Sequence, residues 1–281
     1  MRDAHAGFDA QAALKTDPLR FARRYAGPDR EVVAVLSALL AFGRVKTIGD
    51  KLTTLFKLLG PSPADTVRGS TRRALTARLR GFRHRTFRGE DLAGLAYALG
   101  ALLTRDGSVF TSLGRAWADT RDLREALARW VSELRALSWP EGMTRATRHL
   151  LPDPKGPSAS KRLLLLLRWV CRPDDGVDLG LTGAVPTSAL RVPVDVHVHR
   201  VARNLGLTAR PGATWETAGE ITDALRALDP EDPTRFDMAL CHLGIQGQCP
   251  SRRDPVRCEG CAFRGVCVHW RGRKVEAPGR G

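Results

Sequence analysis

Val194-Asp195-Val196-His197-Val198-His199-Arg200-Val201 and, about fifty residues later, Cys249, Cys258, Cys261 and Cys267 decide how this chain is read. The cysteines are spaced C-x8-C-x2-C-x5-C, four thiols threaded with Arg, Gly and Pro. So polar a segment holds too little apolar surface to form a core. Thiolates bind soft metals and clamp short irregular loops that do not fold alone, so the four read as metal ligands. A structural zinc is usually held by two C-x2-C knuckles, and only Cys258 and Cys261 form one. Cys249 and Cys267 arrive singly, which suits a [4Fe–4S] cubane with one sulfur per iron, with zinc as the alternative. Disulfides fit less well, because Met1-Arg2-Asp3-Ala4-His5 lacks the pattern of a secretory leader and the chain is no small cysteine-dense scaffold.

Working outward, Asp195 follows Pro193 and is expected to cap a helix running to Leu205. A D-x-H-x-H metal triad of Asp195, His197 and His199 is the weaker idea. On a helix, positions two apart point about 200° apart, so His197 faces away from the other two. Cys171 and Cys241 sit in apolar helical runs and read as buried thiols.

An Asp-led V-D-x-H-x-x-R-V segment followed by such a cluster resembles the helix-hairpin-helix DNA glycosylases of the iron–sulfur endonuclease III group. That group carries V-D-T-H-x-x-R-V before C-x6-C-x2-C-x5-C. Here the sequence is V-D-V-H-V-H-R-V, with the same last two cysteine spacings and a first gap longer by two. Residues 29–55 also resemble the group's early helices. The resemblance implies an all-α, two-lobed helix-hairpin-helix fold with a [4Fe–4S] cluster on Cys249, Cys258, Cys261 and Cys267. It implies a base-excision glycosylase with AP lyase activity, its partner double-stranded DNA containing a damaged base. A monomeric, cytoplasmic and nucleoid-associated bacterial enzyme is the corresponding expectation.

The group's hairpin L-P-G-x-G-x-x-T-A, which grips a phosphate through backbone N–H groups, falls on Leu151-Pro152-Asp153-Pro154-Lys155-Gly156-Pro157-Ser158-Ala159-Ser160-Lys161. Leu151-Pro152 matches, the glycine pair is replaced by Asp153-Pro154, and the turn is longer. The resemblance makes Lys161 the amine nucleophile and Asp195 the carboxylate that stabilises the cationic sugar. Lys155, on the turn, is the rival nucleophile. Two other classes stay open: a non-catalytic iron–sulfur nucleic-acid-binding protein on the same fold, and a zinc-stabilised arginine-rich interaction protein.

Charge agrees with a polyanionic partner. Lys and Arg number 45 against 30 Asp and Glu, a net charge of +15 and a pI near 10.5. No apolar run approaches the roughly 20 residues that cross a bilayer. Apolar residues at three- and four-residue spacing predict helices over 29–40, 46–59, 71–79, 89–103, 123–137, 215–228 and 233–243, the last ended by Gly244. Asp17 is expected to cap a short helix, and Ser158 or Ser160 the helix opened by Lys161. Residues 78–88, arginines interleaved with Phe82, His84 and Phe87, read either as a phosphate contact or as a solvated loop. Phe42 reads as a core aromatic. The expected divisions are an N-terminal helix over 1–29 packing with the C-terminal lobe, a helical lobe over 30–180, and a C-terminal lobe over 181–270 with the cluster loop. A disordered tail is expected over 271–281.

Overall fold

The computed structural model describes residues 8–245 and 249–271, and the fold over them is all-α apart from one two-residue-stranded hairpin. The tail expected to be disordered lies, but for Arg271, outside the described residues. Helices α1 (Ala10–Leu14), α2 (Leu19–Ala22), α3 (Gly27–Leu40), α4 (Val45–Leu59), α5 (Pro63–Arg68) and α6 (Arg72–Arg78) lead to β1 (Arg83–His84) and β2 (Phe87–Arg88). Then come α7 (Gly89–Asp106), α8 (Thr111–Thr120), α9 (Leu123–Ser138), α10 (Arg145–Leu150) and α11 (Lys161–Cys171). After an irregular connector with a 3-10 turn at Thr187–Ala189 follow α12 (Val196–Asn204) and α13 (Trp215–Arg226). A 3-10 turn at Pro233–Phe236 leads into α14 (Asp237–Ile245).

Two helices are buried on nearly every side along their apolar runs, residues 32–40 and 163–167. In α3 every residue from Val32 to Leu40 is buried, and in α11 every residue from Arg162 to Cys171. They pack on each other, with α2 and α5 also against α3. Helix α7 collects α5, α6 and α9 around it. Its crossing with α5 is so close that a Cβ on Gly100 would stand 2.1 Å from the Val67 carbonyl oxygen, so only glycine fits. The third packed pair is α12 on α14, and α1 rests on α14 as well.

Local expectations are met in part. Asp17 Oδ1 accepts the Leu19 N–H at 2.8 Å, as a cap should. Residues 78–88 are neither a plain loop nor helical. Arg83 pairs with Arg88 and His84 with Phe87, so His84 and Phe87 point inward, fully buried, while Arg83, Arg85 and Arg88 stay exposed. Gly244 does not end its helix. It lies within α14, where a Cβ would come 2.8 Å from that of His197, so its smallness lets α14 touch α12.

Candidate active site and cysteine loop

Lys161 owes its position to a bent backbone. The preceding Ser160 adopts the left-handed conformation, φ 49°, uncommon for a residue with a side chain and mildly strained. Its hydroxyl is buried without a partner and caps nothing, and the Ser160 N–H instead donates to Ser158 Oγ at 3.3 Å. Neither serine therefore caps α11 in the expected way. The bend starts α11 abruptly and leaves Lys161, its first residue, partly exposed while the helix behind it is buried.

Asp195 is the N-cap of α12. Its Oδ1 accepts the N–H groups of His197 and Val198, each at 2.9 Å. Its other oxygen, Oδ2, lies 3.8 Å from Lys161 Nζ, with side-chain exposures of 22% and 31%. The two starts of helix, 34 residues apart in sequence, thus face each other across one cleft of about 850 Å3. Phe42, His149, Arg162, Asp237 and Met238 share its lining. The volume suits a nucleotide-sized ligand. The histidines form no metal triad with Asp195: His199 Nε2 meets the Arg210 carbonyl, and His197 Nδ1 meets Arg200.

Lys155 is placed elsewhere. Its Nζ is 2.6 Å from Glu125 Oε2, and it is absent from the cleft lining. The turn around it is closed on itself. Asp153 Oδ1 accepts the Lys155 N–H at 2.9 Å and the Asp153 carbonyl accepts the Gly156 N–H at 3.0 Å. Arg124 donates to the carbonyls of Pro154 and Gly156, and Arg135 to that of Leu151. The N–H groups of Lys155 and Gly156 are thus turned into the turn itself.

Behind the pair lies a buried charge network that no sequence pattern announced. Arg168 Nη1 meets Asp237 Oδ2 at 2.6 Å and its Nη2 meets Asp178 Oδ1 at 3.2 Å. Arg172 continues it to Asp178, Asp232 and Asp175. Burial pushes the Asp237 carboxyl up to about 6, with Arg168 opposing and the charge of Asp195 adding to the rise. Arg168 in turn is held more firmly protonated, because Asp178 and Asp237 outweigh the cost of its burial. Both directions hold together because one guanidinium serves two carboxylates, and Asp178 is also pushed up by burial. Asp237 belongs to the cleft as well as to the network, one of its oxygens buried without a hydrogen-bond partner.

The four cysteines of the C-terminal loop border one small cavity together. Burial pushes the Cys249 thiol up, against a hydrogen bond from Asn204, and the Cys267 and Cys261 sulfurs reinforce the rise. Among the described residues no three His, Cys, Asp or Glu side chains close up as ligands of a single metal ion. The lining nevertheless suits sulfur held as thiolate in an iron–sulfur centre. Arg264 Nε and Trp270 Nε1 are buried donors without partners, and both residues line the sulfur-bordered cavity. Such N–H groups are suited to donate to sulfur, as Asn204 Nδ2 does to Cys249 Sγ at 3.2 Å. Burial lifts the thiol of Cys171 to about 12 and moves that of Cys241 in the same direction, and both stand apart from this loop.

Asn204, the last residue of α12, ties the loop at both ends. Its amide nitrogen also reaches the Pro250 carbonyl at 2.9 Å, its oxygen meets His269 Nε2 at 3.0 Å, and its carbonyl accepts the Val268 N–H at 2.8 Å. Arg200, on the same helix, bonds the carbonyls of Cys249 and Gly244. One helix therefore carries Asp195 at its start and the cysteine loop at its end, roughly 13 Å apart at 1.5 Å per residue.

Residues 17–246 match the family described as protein of unknown function (DUF2400), most of the chain, and the chain belongs to that family. The match includes Lys161 and Asp195 and stops before Cys249. No curated protein matches the chain.

Proposed function

We propose that this protein is a DNA base-excision glycosylase with AP lyase activity, its chemistry carried by Lys161 and Asp195. The observation that carries the reading is the 3.8 Å approach of Lys161 Nζ to Asp195 Oδ2 in a nucleotide-sized cleft. An amine beside a carboxylate, each fixed by the start of a helix, is what Schiff-base chemistry at a sugar requires. The damaged nucleotide leaves the stack and enters the cleft. The free amine of Lys161 attacks C1′ as the C1′–N bond breaks, its electron pair leaving with the base, which takes up a proton. The Asp195 carboxylate stabilises the positive charge that grows on the sugar and stands close enough to share in proton transfer. Ring opening gives an iminium between Lys161 and C1′. Loss of a C2′ proton then expels the 3′ phosphate, and water releases Lys161.

Cys249, Cys258, Cys261 and Cys267 would hold a [4Fe–4S] cluster. When bound, it supplies rigidity to the loop that carries Arg252, Arg253 and Arg257. The net charge of +15 supports a polyanionic partner. Borohydride trapping on a duplex containing one abasic site tests the reading. The wild type should form a covalent adduct, Lys161→Ala should form none, and Lys155→Ala should trap normally. Trapping that survives in Lys161→Ala would overturn the assignment of the nucleophile. Duplex binding with no adduct and no base release on a broad lesion panel would leave the non-catalytic binding protein instead.

A further inference from the structure

Around Phe42, in the wall of the same cleft, lies a group of cations with no carboxylate partner among the described residues. Arg162 is 7% exposed, and among the described residues its guanidinium is bonded to the carbonyls of Leu39 and His149. Burial pulls it down to about 10, and no carboxylate opposes that shift. Its charge lies 5.6 Å from the centre of the Phe42 ring. Arg85, held at the hairpin tip by a left-handed φ of 55°, lies over the same ring at 4.6 Å. Arg44 is exposed on the adjoining rim of the cleft. Two histidines feel the result: burial lowers His149 and His84, and Arg162 and Arg85 lower His149 further.

A buried cation left without a partner costs several kcal/mol, far more than an aromatic ring returns, which is about 0.5–2 kcal/mol. Folded proteins usually resolve such a cost with a carboxylate, as this one does at Arg168. Here none is supplied by the described residues, and Phe42, Arg44 and Arg162 line the ligand cleft. The counter-charge that completes it is therefore external.

We propose that the exposed Arg85 and Arg44 beside Phe42, backed by the buried charge of Arg162, form a phosphate site that grips one or two backbone phosphodiesters of the strand entering the cleft. This rests on the reading of the cleft as a nucleic-acid site. It also accounts for the closed turn. Asp153 occupies the Lys155 N–H and sets a negative charge where a hairpin would hold a phosphate, so the anchoring contact is supplied by other residues. Arginine suits the task because its planar fork meets two phosphate oxygens at once.

The test is fluorescence anisotropy with a duplex carrying a single tetrahydrofuran abasic analogue, read from about 50 to 200 mM salt. Arg85→Ala and Arg44→Ala, singly and together, leave α11 untouched and should keep the wild-type circular dichroism. Each should make the plot of log affinity against log salt shallower by about 0.9, so the wild-type advantage shrinks about 3.5-fold per residue across that range. An unchanged slope overturns the site. A loss of affinity equal at every salt concentration overturns it in favour of a contact to the base. Borohydride trapping in parallel separates this proposal from the lyase reading. An adduct with an unchanged slope leaves the lyase and removes the phosphate site. Shallower slopes with no wild-type adduct do the reverse, and a wild type that does not bind the duplex removes both.

Discussion

Replacing Asp195 by Asn and by Ala separates what its carboxylate does for the fold from what it does in the cleft. Oδ1 accepts two N–H groups of α12 at 2.9 Å, and Oδ2 faces Lys161 at 3.8 Å. Asparagine keeps an oxygen for the cap and loses only the charge. The partly exposed ion pair is screened by water, so Asp195→Asn should cost less than about 1 kcal/mol. Alanine removes both cap bonds as well, and should cost about 1–2 kcal/mol. At roughly 2–4 °C per kcal/mol for chains of this size class, Asp195→Ala should lower Tm by about 2–8 °C. The two variants should nonetheless fall together in the borohydride assay, each slowed on the order of 100-fold, because both lack the charge opposite the growing cation. Thermal unfolding by circular dichroism and trapping rates on one abasic duplex provide the comparison. Wild-type trapping by Asp195→Asn would refute a role for the charge. An unaltered Tm in Asp195→Ala would refute the cap as the anchor of this helix.

The purified protein should be brown and contain iron. Ala at Cys249, Cys258, Cys261 or Cys267 should remove colour and iron, Cys171→Ala and Cys241→Ala should retain both, and colourless protein with stoichiometric zinc would overturn the cluster. Asn204→Ala, which deletes three side-chain bonds to the loop, should hasten loss of iron in air; a rate equal to the wild type would place the loop's anchorage elsewhere. Asp237 should titrate near pH 6 by carboxyl carbon NMR. Because its folded value lies above the ordinary one of about 3.9, its contribution to stability is complete below pH 4 and lost as pH rises through about 6. A midpoint near 4 would contradict the burial described.

Much of this was legible along the chain. Continuous apolar runs marked α3 and α11, three-and-four spacing marked α7, α9 and α13, and Pro193 before Asp195 marked the cap. The meeting of Lys161 with Asp195 followed from the motif order that suggested the resemblance. What escaped had no local signature. Helices α5, α8 and α10 are too short or too polar to show a period. The hairpin at residues 83–88 has strands of two residues, below the length at which alternation can be seen. Gly244 looks like a terminator because packing glycines and capping glycines are the same letter. Asp237 meets Arg168 across 69 residues, and an ion pair between distant segments imposes no spacing on either.

The Arg168 network also constrains how the sequence can drift. Arg168, Arg172, Asp178, Asp232 and Asp237 balance one another where water cannot screen a mistake. Losing one member of such a set strands its partner and costs about 3–5 kcal/mol, a large share of the roughly 5–15 kcal/mol that holds a domain folded. Replacing the set at once by apolar residues of similar volume can be neutral. Single steps are therefore closed and only a concerted exchange is open. In a lineage of related chains, Arg168, Asp178 and Asp237 should be inherited as a block, kept together or absent together, whereas Lys161 and Asp195, partly in water, carry no such coupling in their burial and can change one at a time at a smaller cost.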